Sequence, residues 1–163
     1  QGTPCRDIRS REIGDVEFQL ADVQLVTREY EASGGREFFL SFEDQRQDKL
    51  IALLRLRFPG KTFETGEHHP FPELSGAALI RDLHVYGKQI AVGHRGTDKQ
   101  HAGWGSQLMA KAEQLAHEAG FTRIAVISGI GTREYYGKLG YQLEGTYMVK
   151  DYSLGCESFS VYT

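Results

Sequence analysis

Two glycines one residue apart, Gly103 and Gly105, stand at the start of the clearest helical pattern in the chain. Within residues 104–119, Leu108, Ala112, Leu115, Ala116 and Ala119 recur at steps of four, three, one and three, which puts them on one helical face. Gly120 follows at the position where glycine best ends a helix. Residues 123–128 (R-I-A-V-I-S) then form a short, nearly all-apolar run, as expected of a strand in the middle of a sheet. A glycine loop, an amphipathic helix and a buried strand in that order restrict the chain to the α/β class.

The remaining segments agree with that class. Residues 23–32 read as a strand with Gly34-Gly35 as its turn. Residues 37–43 and 50–58 are rich in apolar residues, and the polar 44–48 between them makes an antiparallel hairpin with a longer loop. In the second of these strands Leu54 and Leu56 face one way and Arg55 and Arg57 the other. Residues 59–76 read as a loop. Residues 77–86 are a strand ended by Gly87. Residues 132–139 read as a short helix with Thr132 as its N-cap, and 141–150 as a final strand. The order is antiparallel strands first, then strand–helix–strand–helix–strand.

Composition narrows the function classes. The chain has 163 residues, 40% hydrophobic and 25% charged, which is ordinary globular usage. Lys plus Arg number 19 against 22 for Asp plus Glu, a formal charge of −3, so there is no whole-domain basic footprint for nucleic acid. The two cysteines, Cys5 and Cys156, form no C-x-x-C. A thioredoxin-type motif, a four-cysteine zinc site and a cysteine-held iron–sulfur cluster are thus excluded within this chain. His68 and His69 sit in a Pro-rich loop with no third ligand placed by spacing, so no metal is expected. No apolar run of about 18 residues occurs, and the start has no apolar stretch of a signal peptide. No membrane partner and a cytoplasmic location are therefore expected. The first residue is Gln1, not Met, so the chain is expected to be processed, trimmed or part of something longer.

The glycine loop carries the most chemistry. Paired glycines let a backbone approach an anion closely, and the helix behind them offers unpaired N–H groups and a positive dipole end. That describes a pyrophosphate cradle, or simply a chain break before a helix. A dinucleotide fingerprint would need a third glycine where Leu108 stands. A Walker A loop ending in Gly60-Lys61-Thr62 would need a glycine where Arg55 stands. Further on, Tyr135 and Tyr136 lie on the short helix. A tyrosine there is either a proton donor to a leaving thiolate or a residue at the core edge.

Together these segments resemble the GNAT acetyltransferase superfamily. Its Q/R-x-x-G-x-G/A pattern is matched at Gln100, Gly103 and Gly105, and its Y-x-K-x-G-F/Y element at Tyr136, Lys138, Gly140 and Tyr141. Longer strings resemble the acetyltransferase domain of the Elongator catalytic subunit family: residues 39–44 (F-L-S-F-E-D), 53–57 (L-L-R-L-R), 81–87 (R-D-L-H-V-Y-G), 125–133 (A-V-I-S-G-I-G-T-R) and 147–150 (Y-M-V-K). Asp82 is a departure, because some members have Glu there.

The resemblance implies a GNAT fold, a mixed central sheet with splayed parallel strands flanked by helices. The splayed strands would be 82–85 and 124–128. Residues 1–15 would be a leading linker, 16–152 the acetyltransferase domain and 153–163 a tail. The function implied is acetyl-CoA binding and thioester cleavage in a tRNA wobble-uridine-modifying enzyme that makes 5-carboxymethyluridine. The alternative is a stand-alone N-acetyltransferase acting on a protein or small-molecule amine.

Lys99, Gln100, His101, Ala102, Gly103, Trp104 and Gly105 would hold the CoA phosphates. Leu83 and Val85 would offer backbone groups to the pantetheine while burying their side chains, with Asp82 and His84 on the opposite face. Tyr136 would face the thioester, with Tyr135 the second choice. His84 is either a general base or an ordinary strand residue. Lys138 is expected as a solvated helix lysine. Arg6, Arg9 and Arg11 make a basic start which, with Arg55 and Arg57, would either contact tRNA phosphates or be an exposed charged stretch. In that family an iron–sulfur cluster and S-adenosylmethionine belong to an N-terminal radical-SAM domain that this sequence lacks. That domain, the anticodon region of tRNA and, in a eukaryote, Elongator-type subunits are the expected partners.

Overall fold

The structure, a computed structural model, describes residues 7–60, 71–86 and 103–152. Seven strands are found among them: β1 (Val23–Ala32), β2 (Gly35–Asp44), β3 (Lys49–Phe58), β4 (Ala77–Val85), β5 (Arg123–Ile127), β6 (Gln142–Glu144) and β7 (Tyr147–Asp151). They form one sheet in the order β1-β2-β3-β4-β5-β7-β6. Neighbours run antiparallel except β4 and β5, which are parallel. The helices are α1 (Ile8–Arg11), α2 (Trp104–Glu118) and α3 (Arg133–Lys138). This is the expected mixed central sheet flanked by helices. None of the described helices is long and apolar enough to cross a membrane.

One face of the sheet carries the main core. Alternation along β2 and β3 sends Phe38, Leu40, Phe42, Leu54 and Leu56 to the same side, where they meet Leu108, Met109, Ala112 and Ala116 of α2. Each of those leucines is fully buried, and burial of such a side chain is worth about 1.5–3 kcal/mol. Leu115 is only partly buried, and Ala119, the C-cap of α2, is exposed, so the apolar stripe sits slightly N-terminal of the expected one. On the other face Leu74, Ala77, Ala125 and Val149 make a smaller cluster. β5 thus has apolar cover on both sides, which explains its nearly unbroken apolar run.

Four local features differ from expectation. The β1–β2 turn is Ser33-Gly34, both at positive φ (48° and 69°), so this is a two-residue hairpin turn of the type that follows strand twist. Gly35 instead opens β2, where a Cβ would collide with the Phe58 carbonyl. The expected strand over 141–150 is a hairpin, β6 and β7, broken at Gly145 with φ 57°. Thr132 does not cap α3 with its side chain: its hydroxyl donates to the Gly129 carbonyl at 3.0 Å, closing a tight turn in front of the helix. Finally, the linker expected over 1–15 is packed onto the sheet from Asp7 onward. Ile13 lies in the core, and Arg11 is bound to Glu43.

Candidate active site

β4 and β5 pair only from Ala77–Arg123 to Ile80–Val126. Beyond that point they part, and the cause lies on the other edge of β4. Arg55 faces Asp82 but Leu56 faces Ile80, so Arg81 is an extra residue, a β-bulge that bends β4. Residues 82–85 therefore pair with β3 alone, as expected for the first splayed strand. Of the second, 124–128, Ile124, Ala125 and Val126 are still paired to β4, so the parting begins only at Ile127.

The direction of the free backbone groups follows from alternation. Tyr86 donates its N–H to the Ile51 carbonyl at 2.7 Å, which makes Tyr86 a hydrogen-bonded partner of β3. His84 and Asp82, two and four residues back, take the same sense. Leu83 and Val85 then direct their N–H and C=O groups to the open edge. Leu83 packs against the core, but Val85 is exposed, contrary to expectation, because β5 has already turned away.

The start of α2 meets this edge. Gly103, at φ 108° and ψ 46°, is in the left-handed region that favours glycine, and no side chain caps the helix. Its first-turn N–H groups have no partner inside the helix. Trp104 packs on Phe42, with ring centroids 4.5 Å apart, and anchors that turn. A Cβ on Gly105 would lie 3.0 Å from the Tyr135 hydroxyl and 3.7 Å from Val85 Cγ2. Helix start, open strand edge and α3 thus converge at Gly105.

The two tyrosines have different places. Tyr135 is exposed and brings its hydroxyl to within 3.5 Å of Ser106 Oγ. Tyr136 is buried between Tyr135 and Tyr141. Burial pushes the Tyr136 phenol above its usual range, and Tyr135 and Asp82 add to that, so it stays protonated at neutral pH.

On the far face of β4, His84 Nε2 is 3.3 Å from Asp82 Oδ1, and its ring stacks on Tyr86. Two expected nucleic-acid contacts are corrected. The buried Arg11 guanidinium donates to Glu43 at 2.8 Å and lies 2.9 Å from Asp48. Arg57 is held by Glu37 at 2.9 Å and by the carbonyls of Ala32 and Ser33. Both cations are used inside the fold, because burying Glu43 and Glu37 requires them. Arg9 and Arg55 make no ion pair with a described residue. Lys138 pairs with Glu134 on the solvent side of α3. Arg6, Lys99, Gln100, His101 and Ala102 lie outside the described residues, as do Cys5, Cys156, His68 and His69. Among the described residues no group of three His, Cys, Asp or Glu could hold a metal ion. Tyr86 escaped the sequence reading, although the alternation D-x-H-x-Y of residues 82–86 already puts it beside His84.

The fold and cleft define the class: a mixed α/β domain whose two parallel strands part beside a helix that starts on glycine. No family model matches the chain. Elongator complex protein 3 of Danio rerio is 49% identical over 158 residues, covering 92% of this chain and 28% of that protein. The Saccharomyces cerevisiae protein of that name is 46% identical over 155 residues, covering 91% and 27%. The solved archaeal Methanocaldococcus infernus Elp3 with residues 1–46 deleted superposes with a TM-score of 0.72 at 43% identity, over 91% of this chain and 35% of that one. The chain belongs to the Elongator complex protein 3 family, as the counterpart of one segment that spans 28% of the zebrafish relative.

Proposed function

We propose that this chain is the acetyl-CoA-binding domain of a tRNA wobble-uridine-modifying enzyme, in which it cleaves the thioester and provides the acetyl group for 5-carboxymethyluridine formation. The observation that carries this reading is the convergence at Gly105 of an uncapped helix start, an open strand edge and a tyrosine-bearing helix. The residues present fit the ligand, because a side chain at Gly105 would close the gap between α2 and Tyr135. The N–H groups from Gly103 to Ser106 take the diphosphate, and Lys99, Gln100, His101 and Ala102, outside the described residues, are assigned to the same phosphates on the sequence pattern. Leu83 and Val85 bind the pantetheine amides through their backbone, as a strand binds its neighbour. Tyr136 donates its proton to the leaving sulfur. His84, with Asp82, stands on the acceptor side of β4. When bound, acetyl-CoA supplies the activated acetyl group. The radical step, with its iron–sulfur cluster and S-adenosylmethionine, is assigned to a separate radical-SAM domain. The anticodon region of tRNA and Elongator-type subunits are the partners this reading implies. The names of the relatives support the assignment.

Titration calorimetry with a non-hydrolysable acetyl-CoA analogue tests it. One site is expected. Gly103→Val puts a β-branched residue at φ 108° and is expected to weaken binding at least tenfold. Parent-like affinity in that variant would show that the cradle is wrongly placed.

A further inference from the structure

Every described arginine except three is in an ion pair with an Asp or Glu; the three are Arg9, Arg55 and Arg133. Two of these lie by the same surface. Arg55 stands directly opposite Asp82 in the β3–β4 ladder, and alternation along β4 places Asp82, His84 and Tyr86 on the face that Arg55 shares. Arg9 stands on α1, and Glu12, just after that helix, bridges Leu50, the neighbour of the Ile51 whose carbonyl takes the Tyr86 N–H. Burial holds the Tyr86 phenol above its usual range, Glu12 and Asp82 add to that, and the charge of Arg9 opposes them.

On this face the His84 and Tyr86 rings are stacked, with centroids 5.6 Å apart and planes 8° from parallel. The His84 side chain is nevertheless 59% exposed, while Asp82 at 3.3 Å orients it. Tyr86 packs on the core beneath, so the stack has a fixed floor and an open top. Parallel aromatic rings open to solvent and flanked by unpaired guanidinium groups suit a single-stranded nucleic acid, whose unstacked bases have faces to cover and whose phosphates need cations. A duplex hides its base faces and has nothing for the ring. Asp82 and Glu12 repel a phosphate lying over the stack itself, which sends the phosphates to the Arg9 and Arg55 flanks.

We propose that His84 and Tyr86 form a stacking platform for one unpaired base of single-stranded RNA, with Arg9 and Arg55 on the phosphates either side of it. This rests on the proposed function and assigns the acceptor side of that site.

The test is binding of a fluorescein-labelled oligouridylate, and of a blunt RNA duplex of equal length, to the 163-residue chain at fixed salt. Binding of the acetyl-CoA analogue by the parent is measured in parallel. The parent is expected to prefer the single strand. His84→Ala is expected to weaken single-strand binding by about fivefold or more, and His84→Phe to restore it, since the phenyl ring stacks but carries no proton. Arg9→Gln is expected to weaken binding and to flatten its salt dependence by about one phosphate contact. The platform is overturned by equal affinity for duplex and single strand, by no parent binding of the single strand, by parent-like binding in His84→Ala, or by a His84→Phe as weak as alanine. If any of these occurs while the parent binds the acetyl-CoA analogue, the platform fails and the functional reading stands. If the analogue does not bind, the functional reading fails whatever the RNA does.

Discussion

Glu43→Gln changes one atom in a carboxylate that is almost wholly buried. Arg28 donates to it at 2.5 and 3.1 Å, Ser41 at 2.6 Å and Arg11 at 2.8 Å. Burial alone would raise the Glu43 pKa; the hydrogen bonds from Arg28, Ser41 and Arg11 more than reverse this and hold it at about 2, against an ordinary 4.5. At about 1.36 kcal/mol per pH unit, that difference is about 3 kcal/mol of folded-state stability. Because the folded value is the lower one, this stability is complete above about pH 4.5 and is lost as pH falls toward about 2. The amide that replaces the carboxylate turns a donor toward an arginine, and Arg11 keeps only Asp48. Urea unfolding at pH 7 is expected to show a loss of about 3 kcal/mol, within the range for breaking a buried pair. For a chain of this size that is a fall in melting temperature of about 6–12 °C. Glu37 and Asp44 are also held below their usual range and add to acid unfolding, but equally in both proteins. The gap between parent and variant should therefore close between pH 4.5 and 2. A gap that stays constant down to pH 2, or a loss below about 1 kcal/mol at pH 7, would refute this account of the network.

Two further outcomes are expected. Tyr136→Phe removes the proposed acid and little packing, so thiol release from acetyl-CoA in the presence of tRNA should fall at least about 100-fold while the melting temperature barely moves; an unchanged rate removes Tyr136 from the chemistry. Leu108→Ala leaves a void beneath α2 at a fully buried position, and urea titration should report a loss of about 2–5 kcal/mol with an unchanged slope.

Much of this was legible in the sequence because it depends on short-range periodicity. The helix over 104–118 and strands β1, β3 and β5 follow from apolar spacing, glycine stops and turn residues that act within a few positions. The two glycines of the loop and the tyrosines of α3 were visible for the same reason. Val85 was misread because alternation gives the side a residue faces, not whether a neighbouring strand is still there to cover it.

By itself, then, the sequence determined the α/β class, the order of the main elements and the glycine start of α2. Only the tertiary structure decided which charges are free. Arg11, Arg57 and Arg55 look alike in a sequence, but the first two are held by Glu43 and Glu37, carboxylates 32 and 20 residues away along the chain, and Arg55 is not. It also decided where the cleft opens, because one extra residue, Arg81, bends β4 away from a strand more than forty positions later. Pairings over such distances are settled by which partners the sheet brings together, and local pattern carries no record of them.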